Sequence, residues 1–128
     1  MNNELLIKLA QDVRTKAYAP YSNFKVGAAV LAESGKVYTG CNVENASYGL
    51  TNCAERSAIF KAVSEGEINL RKICIVADSS ALTPPCGACR QVLAEFNIQE
   101  IVLANLQGDI AKFTLEELLP HSFTKKHL

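Results

Sequence analysis

The sequence has no surplus of charge of either sign: 13 Lys and Arg stand against 13 Asp and Glu. That balance argues against a protein that works by gripping phosphate backbones, because such chains concentrate positive charge to displace counterions. A neutral surface also favours association over mutual repulsion. No run reaches the roughly 18 apolar residues of a membrane span. Met1 to Ala10 is interrupted by Glu4 and Lys8 and lacks the apolar centre of a secretory signal, so the expected location is the cytoplasm. Repeats, low-complexity tracts and linkers are missing, and residues 1–128 read as a single domain. Histidine is scarce. Its two copies, His121 and His127, lie close to the C-terminus and are poorly placed as ligands for a site built elsewhere.

Apolar residues make up 48% of the chain, enough to bury a core. Leu5, Leu6, Leu9, Val13 and Ala17 recur at helical spacing and predict an amphipathic first helix that stops near Ala19-Pro20. Phe24–Ala32 and Val37–Val43 read as two strands, joined across the turn residues Glu33, Ser34, Gly35 and Lys36. A second helix is expected from about Cys53 to Glu65, with Thr51 or Asn52 as its cap and Gly66 just past its end. Ile73–Ala77 is a short continuous apolar run, as in a strand buried on both faces. Pro84-Pro85 opens a third helix with Cys86 at or near its start, running to about Phe96. Ile101–Leu106 and Ile110–Phe113 read as strands. Thr114 with Glu117 has capping-box spacing before a last short helix that Pro120 ends. The order predicts an α/β fold of three layers, α-β-α, around a mixed five-stranded sheet.

Cysteine occurs 5 times, an odd number, and a reducing compartment disfavours structural disulfides. Cys41 and Cys74 sit in apolar, strand-like surroundings and read as buried packing residues. Cys86 and Cys89 form C-x-x-C, a pattern of metal or redox chemistry. Cys53 opens one helix and Cys86 and Cys89 lie at the start of another. Helix N-termini carry partial positive charge that favours the thiolate. Two such helices leaving the same sheet edge bring the three sulfurs toward one crevice. Three thiolates suit one Zn²⁺ per chain, and the sequence offers no obvious fourth ligand. Three protein ligands with a position left for water make a catalytic site, whereas four closed ligands make a structural one. Glu55, two residues after Cys53, can face that open position as a general base; the plainer reading is a solvated glutamate on the helix dipole. Arg56 and Arg90 follow the ligand segments directly. Either can donate to a ligand sulfur and withdraw charge, or simply lie on the surface.

Cys53-Ala54-Glu55 and Pro85-Cys86-Gly87-Ala88-Cys89 resemble the zinc deaminase signature. More narrowly, the chain resembles the small homotetrameric cytidine deaminases through Phe24-Lys25-Val26-Gly27-Ala28-Ala29, Cys41 to Tyr48, Cys53 to Ser57 and Pro85 to Gln91. The resemblance implies a cytidine deaminase-like fold and hydrolytic deamination of cytidine and deoxycytidine, with release of ammonia, in pyrimidine salvage. It implies a small-molecule nucleoside substrate, no nucleic acid and no membrane, and a homotetramer with sites shared between subunits. It also implies Glu55 as the proton shuttle, Phe24 stacked on the pyrimidine, Asn42 and Glu44 on the ribose hydroxyls, and the Ala54 N–H on the base carbonyl. Ala46 and Tyr48 are expected at a subunit boundary, and Phe123 in a neighbouring subunit's pocket. His121-Ser122 and the basic tail Lys125-Lys126-His127 depart from the family's C-terminal pattern.

Four rival readings stand beside this one. A structural zinc module for nucleic acid would want a fourth ligand and a basic face. A thiol redox protein built on Cys86 and Cys89 leaves Cys53 and Glu55 without a role. A deaminase of a nucleotide, of guanine or of an aminoacyl-pyrimidine antibiotic shares the metal site. An enzyme acting on polynucleotide fits the neutral charge and short chain poorly.

Overall fold

The first apolar stripe forms a helix, but a shorter one than its periodicity predicts. In the computed structural model, which describes residues 1–128, helix α1 spans Asn3–Arg14, with the Asn2 side chain capping Leu5 N at 2.9 Å. It buries Leu6 and Ala10. Ala17 falls outside it. Tyr18 N donates to Asn42 O at 3.0 Å, and Glu44 N donates to Tyr18 O at 2.8 Å. This long-range pairing draws residue 18 into a bridge with Val43, so the helix ends well before Pro20.

Five strands follow: β1 (Val26–Ala32), β2 (Val37–Cys41), β3 (Leu70–Ala77), β4 (Glu100–Ala104) and β5 (Ile110–Thr114). Three helices lie between and after them: α2 (Ala54–Ser64), α3 (Gly87–Glu95) and α4 (Leu115–Leu118). The expected turn joins β1 to β2, with Gly35 at φ 93°, where a side chain would be strained. The Thr114–Glu117 capping box opens α4. β1 begins at Val26 rather than Phe24, because the carbonyl of Phe24 accepts from the Asn42 side chain instead of joining a ladder. Val43 lies beyond β2 and bridges Tyr18 and Asn52. β3 starts earlier than its apolar run, at Leu70.

The sheet order is β2-β1-β3-β4-β5. β1 is antiparallel to both β2 and β3, β3 and β4 are parallel, and β5 runs antiparallel to β4. The sheet is therefore mixed, with β2, β3 and β4 running in one direction. Their carboxyl ends share an edge, and both α2 and α3 start from that edge. α1 covers one face, packing Leu6 and Ala10 with Ala29, Leu31, Cys74, Val76 and Val102. α2, α3 and α4 cover the other, with Ala58, Ile59, Leu93 and Leu118 against Val30, Ile73, Ile75 and Ile101. Three layers result. Cys74 is buried packing, as its context implies, whereas Cys41 is only half-buried. No helix is long and apolar enough to cross a membrane.

Gly40 sets how closely α2 approaches this sheet. A Cβ on Gly40 would lie 2.3 Å from Ala58 N and 2.8 Å from the Ser57 Cβ, so backbone meets backbone there. Gly40→Ala is expected to push α2 off β2 and to cost about 3 kcal/mol, the upper end for overpacking. Urea denaturation measures it, and a loss below about 1 kcal/mol would show that α2 can shift without strain.

Candidate active site

Two helix starts frame the site. Cys53 is the residue before α2 and Cys86 the residue before α3, both with extended backbone, and neither thiol caps its own helix. Thr51 and Asn52, the expected caps, are engaged elsewhere: Thr51 Oγ1 accepts from Asn45 N at 3.3 Å, and Asn52 Nδ2 donates to Ser57 Oγ at 3.1 Å. Cys89 falls in the first turn of α3, three residues after Cys86. The three Sγ atoms all lie within 4.8 Å of one another, and Cys53 and Cys86 are 3.9 Å apart. A tetrahedral ion with Zn–S bonds of about 2.3 Å holds its sulfurs about 3.8 Å apart, so the cluster fits zinc with little movement. Cys89 is buried, Cys53 half-buried and Cys86 exposed, which leaves the cluster open on one side.

The surroundings prepare these thiols for a cation. Cys53 is lowered to about 5, chiefly because Cys89 hydrogen-bonds to it and next because Arg56 does. Cys89 moves the opposite way, pushed up by that same bond with Cys53 and by burial. Of the two, Cys53 is the readier to carry negative charge. Arg56 Nη2 donates to Cys53 Sγ at 3.3 Å, and its buried Nε has no partner. Arg90 does not reach a sulfur, contrary to one of its two readings. Its Nε donates to Pro85 O at 2.9 Å and its Nη1 to Leu118 O at 2.7 Å, which ties the loop before Cys86 to the end of α4.

Glu55 sits in the first turn of α2, only 5% exposed. Burial pushes its carboxyl upward, and the Cys53 charge adds to that push. It lines a cleft of about 250 Å³ together with Cys53, Cys86, Ala54, Phe24, Asn42 and Glu44. The Asn42 amide spans the entry to β1: Oδ1 accepts from Val26 N at 2.9 Å, and Nδ2 donates to Phe24 O at 2.8 Å. One Glu44 oxygen accepts from Tyr21 N at 2.9 Å and Ser22 N at 3.1 Å. The other accepts from the Ser22 hydroxyl. That hydroxyl bond is the main reason the Glu44 carboxyl is lowered, so the cleft carries a firm negative charge at this end.

Three of the expected substrate contacts lie outside the cleft. Ala46 is exposed on the loop after β2. Tyr48 is 75% exposed, its ring edge-on to Tyr21 at 6.1 Å, beside an adjoining hollow shared with Ser22 and Glu44. Phe123 is 58% exposed, stacked on His127 at 5.4 Å, with its carbonyl accepting from Gln91 Nε2 at 2.8 Å. Ser22, Val26, Thr51, Ile75, Thr83 and Pro84 also line the cleft, and nothing in the sequence marks them as site residues.

Against this geometry the likenesses to known proteins are consistent. The family model described as "Cytidine and deoxycytidylate deaminase zinc-binding region" matches residues 1–105. A cytidine deaminase of Halalkalibacterium halodurans is 54% identical, over 100% of this chain and 98% of its own length. One from Sporosarcina psychrophila is 51% identical, over 100% and 96%. The crystal structure of cytidine deaminase from Burkholderia pseudomallei superposes with a TM-score of 0.93 at 50% identity, covering 96% of this chain and 100% of that one. With these likenesses beside three converging sulfurs and a buried glutamate, the chain belongs to the cytidine and deoxycytidylate deaminase family, whose zinc-binding region its first 105 residues match.

Proposed function

We propose that this chain deaminates cytidine and deoxycytidine hydrolytically, to uridine and deoxyuridine with release of ammonia, as a salvage enzyme of the cytoplasm. The observation that carries the reading is the cleft that joins Glu55 and the sulfur cluster to Phe24, Asn42 and Glu44. Residues 1–128 act as one catalytic domain. Cys53, Cys86 and Cys89 hold the zinc. The metal supplies Lewis acidity, which brings the pKa of water toward about 7. Glu55 takes a proton from the attacking water and delivers it to ring N3, which makes C4 more electrophilic. The water oxygen bonds to C4; Glu55 then takes the remaining proton of that oxygen and gives it to the amino group, whose bond to C4 breaks as ammonia leaves. The buried position of Glu55 suits both steps, because burial raises the carboxyl and so makes it readier to take up a proton. Phe24 offers its ring to the pyrimidine, the Ala54 N–H meets the base carbonyl, and Asn42 with Glu44 binds the sugar hydroxyls. Arg56 withdraws charge from Cys53 through its hydrogen bond.

The exposure of Tyr48 and Phe123 in the single chain supports a homotetramer in which Ala46, Tyr48 and Phe123 complete a neighbour's site. Substrate choice follows from Glu44. A 5′-phosphate brought near that carboxylate meets like charge, which costs several kcal/mol. Loss of cytosine absorbance should therefore proceed with cytidine and deoxycytidine and run about a hundredfold slower, or worse, with CMP. It should stop when a chelator strips the metal. Equal rates on CMP would overturn the nucleoside reading, and full activity after verified metal removal would overturn the zinc chemistry.

A further inference from the structure

The sugar-facing carboxylate and the base-facing ring come from different parts of the chain, yet one hydroxyl joins them. Ser22 Oγ accepts from Phe24 N at 3.0 Å and donates to the Glu44 carboxylate. The backbone N–H groups of Tyr21 and Ser22 hold the other Glu44 oxygen. Phe24 is thus gripped at both of its backbone polar groups, by Ser22 at the nitrogen and by Asn42 Nδ2 at the oxygen. The segment is shaped for this contact: Asn23 takes the left-handed conformation, φ 58°, and its N–H closes a turn onto Ala19 O at 3.0 Å. No helix or strand runs through residues 19–24, so regular structure does not fix the position of Phe24 there.

We propose that Ser22 is a positioning residue of the nucleoside site: its hydroxyl locks Phe24 to Glu44, so that the base and sugar contacts are presented as one unit. The inference rests on the reading of Phe24 and Glu44 as nucleoside contacts. The physical case is preorganisation. A carboxylate free to rotate must be ordered when substrate binds, and a loop free to drift must be re-formed, so each loss weakens binding. A charge-assisted hydroxyl–carboxylate bond is among the stronger neutral-to-charged contacts and holds that rotamer in advance. Glu55 lines the same cleft, but the Ser22 hydroxyl bonds only to Glu44 and Phe24, so the effect belongs in substrate affinity rather than in turnover.

Steady-state kinetics on the zinc-loaded full chain test it. Ser22→Ala should raise KM for cytidine about tenfold, the size of one hydrogen bond to a charged group, with kcat within about twofold. Ser22→Thr keeps the hydroxyl and should restore KM to within about twofold. In a double-mutant cycle with Glu44→Ala, the combined rise in KM should fall short of the product of the two single effects by at least about threefold. Independent, multiplicative effects would overturn the coupling, as would a kcat loss matching the KM change or a failure of Thr to rescue. Glu44→Ala alone separates this inference from the reading beneath it. If its KM is unchanged, the sugar contact is wrong and the inference falls with it. If its KM rises while that of Ser22→Ala does not, only the inference fails.

Discussion

Glu55→Gln is expected to keep zinc near one per chain and to lose about 10⁴-fold in kcat, the upper end for removal of a general acid–base group. Glutamine has nearly the same shape and keeps a carbonyl acceptor, but it cannot take up and return a proton at neutral pH. The loss belongs at the upper end because one carboxyl is used for more than one transfer. The wild-type carboxyl sits 5% exposed beside the Cys53 charge. Burial and that charge both oppose its ionisation. Removing the charge removes that penalty, so the variant should melt no lower than the parent, and affinity for cytidine should not fall. Metal analysis, a melting curve and turnover on cytidine together decide the matter. A variant that retains a few per cent of wild-type turnover with full zinc would assign proton transfer to another group.

Some of this molecule was legible in its sequence because the signals were local. The Thr114 and Glu117 capping box and the Gly35 turn depend only on near neighbours, and both form. The cysteine cluster was legible because thiolate, helix start and C-x-x-C spacing all point to one chemistry. Long-range pairing was not legible. α1 loses its last predicted turn to the bridge between Tyr18 and Val43, and no periodicity within residues 5–17 encodes that bridge. The insertion of β1 between β2 and β3 is likewise a property of the whole sheet. Gly40 looks like any strand glycine until Ala58 is brought against it. Arg90 directly follows a cysteine of the cluster, but the carbonyls of Pro85 and Leu118 take its donors instead. Ser22 carries no mark in the sequence because its partners, Phe24 and Glu44, are joined only once the chain has folded.

Cys53→Ala should abolish turnover and also lower stability in two separable parts. The first part is the metal. Two remaining thiolates, Cys86 and Cys89, cannot hold the ion as three do, and a ligand that binds only the folded chain stabilises it by about 4 kcal/mol at a thousandfold excess over its Kd. A chelator removes that same term from the parent protein. The second part is Arg56. Its Nη2 has Cys53 Sγ as acceptor at 3.3 Å, and its Nε is already buried without a partner. Alanine leaves that end of the guanidinium without its sulfur, at a cost of about 1–3 kcal/mol that a chelator cannot reproduce. Cys53→Ala should therefore melt below the chelator-treated parent by several degrees, at about 4 °C per kcal/mol for a chain of this size. Its own melting should be indifferent to chelator. Adding Arg56→Met to Cys53→Ala should recover most of that deficit without recovering activity. If Cys53→Ala and the chelated parent melt together, Arg56 is not anchored by the sulfur and its effect on the thiolate must be purely electrostatic.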